Sequence, residues 1–76
     1  MRETIINLLE GVNDSIDYAT CTFLIDGGML SSLDVIQIIS ELDDEFDIAI
    51  PAAEIVPKNF NSVDAIVALV AKLVEE

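Results

Sequence analysis

The chain has 76 residues and a mass of 8.3 kDa, with 15 Asp and Glu residues, only 3 Lys and Arg residues, and a net charge of −12. A chain of this length has little room for a deep internal active site, and we expect residues 1–76 to form a single domain. Nucleic acids and anionic membrane surfaces both require clustered basic residues, so the charge excludes them as partners. A basic protein surface is the natural complement of such a chain.

The residue types exclude several kinds of chemistry. The chain has no His, which removes His-based acid–base catalysis and the Ser–His nucleophile pair. Cys21 is the only cysteine, so we expect no intrachain disulfide and no zinc site, and we read Cys21 as a small loop or core residue. The acidic run 43–47 lacks the spacing of a calcium-binding EF-hand loop. We therefore expect neither a metal site nor an enzymatic activity.

The sequence also predicts where the protein resides. The first residues, Met1-Arg2-Glu3, are not followed by the apolar run of a signal peptide. The longest purely apolar run, residues 65–71, is too short to cross a bilayer. We expect a cytoplasmic protein, monomeric and without a membrane span.

The first predicted helix covers residues 3–16, and a long loop follows it. The helix has an apolar stripe at helical spacing, formed by Ile5, Leu8, Leu9, Val12 and Ile16, and Gly11 leaves its end open. Residues 17–30 show no period, and Asp26-Gly27-Gly28 is a turn signal. Because this stretch contains five apolar residues from Phe23 to Leu30, we expect the loop to lie on the core. Loops of this length are often functional.

The second predicted helix covers residues 32–46, with Ser31 as its N-cap and Asp34 at its positive end. Projection at the helical period predicts a core face of Val35, Ile36, Ile39, Leu42 and Phe46. The opposite, acidic face comprises Asp34, Gln37, Glu41, Asp44 and Glu45, and Leu33 falls on the same side.

A short helix is predicted from Pro51, at its first position, to a stop before Pro57. Ser62 then caps a last helix, whose core stripe is Val63, Ile66, Val67, Val70, Leu73 and Val74. No alternating strand pattern of useful length is present. The sequence therefore predicts an all-α fold, a small four-helix bundle of three main helices and one short one.

The acidic face of the second helix has two interpretations. Charged faces usually serve solubility, and single exposed leucines are ordinary. However, no basic residue between Glu3 and Pro57 relieves the repulsion along this face, which suits a field that steers a basic partner. Leu33 beside it would then be a small docking anchor. Ser32, the first helical residue, cannot activate itself without a His, so its plausible chemistry is modification by another enzyme.

These residues resemble a known family. Gly28-Met29-Leu30-Ser31-Ser32-Leu33-Asp34 is similar to the Asp-Ser-Leu region of acyl carrier and peptidyl carrier proteins. The resemblance continues through 42–46, 48–51 and 61–66, and so covers essentially the whole chain.

The resemblance implies a four-helix carrier that is not an enzyme. A phosphopantetheinyl transferase would attach 4′-phosphopantetheine from coenzyme A to Ser32, and the thiol of that arm would hold an acyl or aminoacyl thioester. Loading enzymes and downstream biosynthetic enzymes with basic surfaces would contact a set that the resemblance gives as Leu33, Asp34, Glu41 and Asp44. Fatty-acid, polyketide and peptide-type pathways all fit, and the loop around Asp26 and the stretch 59–62 look closest to stand-alone aminoacyl, peptidyl or secondary-metabolite carriers.

Two residues depart from the family pattern. Ser31 stands where the family usually has Asp, and Gln37 replaces an acidic residue often found on the recognition helix. Ser31 retains the capping role but removes an acidic contact for the transferase. The alternative hypothesis is therefore an acidic interaction domain of carrier ancestry that is never modified. The β-branched core residues leave open whether an apolar cavity exists.

Overall fold

The structure, a computed structural model, describes residues 1–75 and contains four α-helices and no strand in that range. The helices are α1 (Arg2–Val12), α2 (Ser32–Phe46), α3 (Pro57–Phe60) and α4 (Val63–Glu75), with a single 3₁₀ turn at Ala52–Glu54. α1 packs against α2 and α4, and α3 packs against α4. The predicted all-α bundle of three main helices and one short one is confirmed. Within this range, no helix combines the length and the apolar character that a bilayer span requires.

The core draws on the helices and on the long loop between α1 and α2. Leu24, in the middle of that loop, is fully buried, and Ile16, Tyr18 and Leu30 are buried beside it. The prediction that the loop lies on the core is therefore confirmed. The helical members of the core are Ile5, Leu9, Ile38, Leu42, Phe60, Val63, Ile66, Leu69 and Val70.

α1 ends at Val12, four residues before the predicted limit at Ile16. Asn13 adopts an extended backbone, and its side-chain oxygen accepts the Ser15 N–H at 3.1 Å, which turns the chain away from the helix. The Tyr18 hydroxyl then returns to the end of α1, 3.0 Å from the Leu9 carbonyl oxygen and 2.6 Å from that of Asn13. A buried tyrosine thus caps the end of α1.

The buried face of α2 is rotated relative to the prediction. Ile38 and Leu42 are buried, while Val35, Ile39 and Phe46 are only half-buried. Ile36, which the projection assigned to the core face, is 63% exposed, so that assignment was wrong. α2 packs against α1 and α4, and Ile38 belongs to the core that these helices share, whereas Ile36 lines an open cleft.

The predicted short helix from Pro51 to Pro57 was also wrong. That segment holds only the 3₁₀ turn, and the short helix α3 begins at Pro57. Pro57 occupies the first helical position, where its missing N–H has no helical partner to lose. Ser62 caps α4 as predicted, since its hydroxyl accepts the Ala65 N–H at 3.1 Å. On α4 the buried Leu69 was missed, and Val74 is 47% exposed.

The N-terminus of α2 is closed by a reciprocal pair of hydrogen bonds. The Ser31 hydroxyl accepts the Asp34 N–H at 3.1 Å, and the Asp34 carboxylate accepts the Ser31 N–H at 3.0 Å. This capping box satisfies two backbone donors that a helix start otherwise leaves open. The predicted role of Ser31 as the N-cap is confirmed.

Replacement of Ser31 tests the cap. We expect Ser31→Ala to lower the free energy of unfolding by about 1 kcal/mol, because one N–H loses its acceptor. The matched control Ser32→Ala should change it by no more than a few tenths of a kcal/mol, since Ala is favoured inside a helix. Urea denaturation of both variants measures the difference, and equal losses would contradict this assignment of the cap.

Tyr18 is expected to make the stability of the fold decrease at alkaline pH. Burial first, and then the negative charge of Asp34, Glu10 and Asp14, raises the pKa of Tyr18 from 10.0 to about 12. Because the folded state favours the neutral phenol, the stabilisation is complete below pH 10 and is lost as the pH rises toward 12. Over that window we expect the wild type to lose on the order of 2–3 kcal/mol more than Tyr18→Phe. Denaturation midpoints at matched pH values measure this, and parallel curves for the two proteins would contradict it.

Candidate functional site

Ser32 is the first residue of α2, and its side chain is exposed. Its neighbour Ser31 is also exposed, but the Ser31 hydroxyl is held in the capping box. Among residues 1–75, by contrast, no group hydrogen-bonds to the Ser32 hydroxyl. The two adjacent serines therefore differ in chemistry, since one closes the helix and the other leaves a hydroxyl accessible to an external reagent.

The loop before Ser32 is a set of tight turns. The Gly28 backbone has a φ of +71°, in the left-handed region that glycine adopts without strain. Gly27 is packed so closely under Phe23 that an added Cβ would lie 2.5 Å from the Phe23 ring. The turn predicted from Asp26-Gly27-Gly28 is confirmed, and both glycines are required by its geometry.

An apolar cleft of about 330 Å³ opens beside Ser32, between α2 and α3. Within the described part of the chain, Ser32 contributes the only hydroxyl side chain to its wall, and no charged side chain lines it. The cavity that the sequence left open is therefore present, next to the candidate serine. Its other lining residues are Ile25, Val35, Ile36, Ile39, Ile55, Val56, Pro57 and Phe60.

The residues predicted to face partners lie along the exposed side of α2. Leu33 is 78% exposed, and Glu41 and Asp44 are exposed farther along the helix. At the rise of an α-helix these two carboxylates lie about 14 and 18 Å from Ser32 along the axis. Asp34 differs from the others, because it is half-buried and one of its carboxylate oxygens belongs to the capping box.

Ile36 is a residue of this surface that the sequence prediction missed. It stands one turn after Ser32 on the same side of α2, is 63% exposed, and also lines the cleft. Together with Leu33 it makes the Ser32 end of α2 apolar, while Glu41 and Asp44 make the far end acidic. Its i, i+4 spacing from Ser32 was the available signal, but the simple periodic projection assigned it to the core.

The few basic residues do little to offset the acidic surface. Arg2 pairs with Asp64 on α4, and Lys72 pairs with Glu54 in the 3₁₀ turn. The third basic residue, Lys58, is exposed on α3. No Lys or Arg lies in α2 or in the loop before it, so no basic side chain of these two segments offsets the charge of Glu41 and Asp44.

Comparison with known proteins gives the family. The family model described as the phosphopantetheine attachment site matches residues 3–70. The chain is 34% identical over 70 residues to aminoacyl carrier protein 1 of Bradyrhizobium diazoefficiens, and the match covers 87% of this chain and 77% of the relative. It is 28% identical over 74 residues to the D-alanyl carrier protein of Streptococcus suis, and that match covers 96% of this chain and 94% of the relative.

No solved structure matches the chain significantly. The family-model match spans most of the chain, and the relative from Bradyrhizobium diazoefficiens supports it independently. The chain therefore belongs to the family of phosphopantetheine-binding carrier proteins, whose cofactor is 4′-phosphopantetheine.

Proposed function

We propose that Ser32 carries the 4′-phosphopantetheine arm and that the protein is a carrier rather than an enzyme. The observation that carries this proposal is the division between the two serines. The Ser31 hydroxyl is engaged by the Asp34 N–H, whereas the Ser32 hydroxyl is exposed at the mouth of the cleft. An external enzyme can reach Ser32 without opening the helix cap.

The residues around Ser32 fit a phosphodiester at that position. The side chain is exposed, so an attached group meets no buried neighbour, and it stands at the start of a helix of 15 residues. The N–H groups of Ser32 and Leu33 are not used by the capping box and favour an anion there. When bound, the arm supplies a terminal thiol that holds an acyl or aminoacyl group as a thioester.

A separate transferase has to perform the attachment. The Ser32 oxygen forms a bond to the β-phosphorus of coenzyme A, the pyrophosphate bond breaks, and adenosine 3′,5′-bisphosphate leaves. The hydroxyl proton passes to a base of the transferase, because this chain has no His to accept it. Ser32 supplies the nucleophilic oxygen, and the transferase supplies the catalysis.

Partner enzymes are proposed to dock on the exposed side of α2. Leu33 and Ile36 offer an apolar contact next to Ser32, and Glu41 and Asp44 offer charge farther along. A partner that fits this surface has an apolar entrance to its active site and a basic patch about 14–18 Å from that entrance. This is the axial distance along α2 from Ser32 to Glu41 and Asp44. Rim charges of this kind favour rapid encounter over tight binding, which suits a monomeric carrier that visits several enzymes.

Within this function we favour an aminoacyl cargo over a fatty-acyl one. The two relatives are named for aminoacyl and D-alanyl groups. Among the described residues, the cleft offers no charged side chain to an ammonium group, so the charged end of such a cargo would stay in solvent. Carriers of fatty-acid and polyketide pathways are the alternatives to an aminoacyl carrier within the proposed function. The free Cys21 thiol suits a reducing compartment and supports a cytoplasmic location.

The alternative function is an unmodified interaction domain of carrier ancestry. Its motivation is Ser31 at the position where the family usually has Asp. It predicts a lasting protein partner and a Ser32 hydroxyl that stays unmodified in the native host. The mass of the native protein separates the two functions.

Intact mass spectrometry tests the attachment site. After incubation with coenzyme A and a permissive transferase, we expect the wild type and Ser31→Ala to gain one phosphopantetheinyl group, because both keep the Ser32 hydroxyl. Ser32→Ala should gain none. No gain in the wild type with several transferases, or an equal gain in Ser32→Ala, would contradict the proposal.

Charge reversal on α2 tests the docking surface. We expect Glu41→Lys and Asp44→Lys each to slow association with the transferase several-fold at low salt, because they remove steering charge. The matched control Glu3→Lys makes the same change in net charge on α1 and should have a smaller effect. Stopped-flow rates across a salt series measure this, and the difference should shrink as salt screens the field. Equal rates for all four proteins would mean that the α2 face serves solubility alone.

A further inference from the structure

Asn61, between α3 and α4, binds the middle of the long loop through both its side chain and its backbone. Its Oδ1 accepts the Ile25 N–H and the Asp26 N–H, each at 3.0 Å, and its Nδ2 donates to the Asp26 carboxylate at 3.0 Å. Its backbone carbonyl accepts the Leu24 N–H at 2.8 Å. Four hydrogen bonds thus join one residue to three consecutive residues that lie 35–37 positions earlier in the chain.

The loop carries this attachment forward to the candidate serine. The Leu24 carbonyl accepts the N–H groups of Met29 and Leu30, both at 3.0 Å. Leu30 is buried, and the next residue is the N-cap Ser31. A continuous set of hydrogen bonds therefore runs from Asn61 through Leu24 to the residue that precedes the helix cap.

The same attachment also fixes one edge of the cleft. Ile25, which Asn61 holds, lines the cleft on the loop side, and Phe60, the neighbour of Asn61, lines it on the α3 side. Loss of the Asn61 side chain would leave the Ile25 and Asp26 N–H groups without their acceptor. The Asn61 side chain therefore helps to position the loop wall that carries Ile25, together with the backbone bond between Asn61 and Leu24.

We propose that Asn61 is a positioning residue for Ser32, holding the loop in the conformation from which the hydroxyl is presented to partner enzymes. This inference rests on the proposed function of Ser32. Asn61 touches neither the serine nor any reacting atom, and acts through the loop alone. Its role is to keep the presenting conformation populated before a partner arrives.

The test exchanges the side chains of Asn61 and Asp26. Asn61→Asp keeps the acceptor for the two N–H groups but sets a carboxylate against the Asp26 carboxylate. The double variant, Asp26→Asn with Asn61→Asp, restores the bond with its direction reversed, because the new amide at position 26 can donate to the new carboxylate at position 61. Asn61→Ala removes both the acceptor for the two N–H groups and the donor to the Asp26 carboxylate.

We expect faster amide hydrogen exchange at residues 24–30 in the unmodified Asn61→Ala and Asn61→Asp variants, and wild-type exchange in the double variant. With the transferase, the KM for Asn61→Ala should rise about tenfold with little change in kcat, the factor expected when the competent conformation is populated about a tenth of the time. The double variant should return the KM to within about twofold of wild type.

A destabilised control separates positioning from general loss of stability. Ile5→Val removes a buried methyl group from α1 and should leave both the exchange at residues 24–30 and the KM near wild type. An unchanged KM in Asn61→Ala, or an equal rise in Ile5→Val, would overturn the proposal. A wild type that gains no phosphopantetheinyl group would instead overturn the function proposed for Ser32, and the exchange measurements would still decide whether Asn61 holds the loop.

Discussion

The anchoring of Leu24 is the constraint on which the rest of this structure depends. Its side chain is fully buried, its N–H is bound by the Asn61 carbonyl, and its carbonyl binds two later N–H groups. A small bundle buries too little surface to leave a long connection unattached, so the loop itself supplies part of the core. The same hydrogen bonds therefore support the bundle and hold the loop that leads to Ser32, which links the folding of this chain to the geometry of the candidate site.

Around that anchor, the hydroxyl-bearing residues have separate tasks. Ser31 closes α2, Ser62 closes α4, and Tyr18 binds carbonyl groups at the end of α1. Each satisfies backbone groups that a helix end would otherwise leave open. Ser32 alone among these four is free of such a task, and it stands where the apolar cleft and the acidic helix meet. The Ser32 hydroxyl is therefore accessible, because the other three residues supply the hydrogen bonds at the helix ends.

Periodicity and capping chemistry predicted much of this fold, and the errors have physical causes. The caps at Ser31 and Ser62, the buried loop and the exposed Leu33 followed from residue type and spacing. Ile36 was misplaced because a periodic pattern reports an apolar stripe without reporting that a cleft lies along one edge of it. Pro57 was read as a stop because proline breaks a helix interior and also favours a helix start, and only tertiary packing distinguishes these roles. The contacts of Asn61 join positions 35–37 residues apart, which no local pattern reports.

The division between the neighbouring serines at the start of α2 determines how modification of Ser32 would affect the helix. Because the helix is capped by one hydroxyl and the exposed hydroxyl is the next one along, a group can be added to Ser32 or removed from it without breaking a bond that holds α2. In the proposed carrier, the capping hydrogen bonds between Ser31 and Asp34 would therefore be the same in the apo and loaded forms. A partner that distinguishes the two forms would then have to contact the attached group, because the helix cap is the same in both.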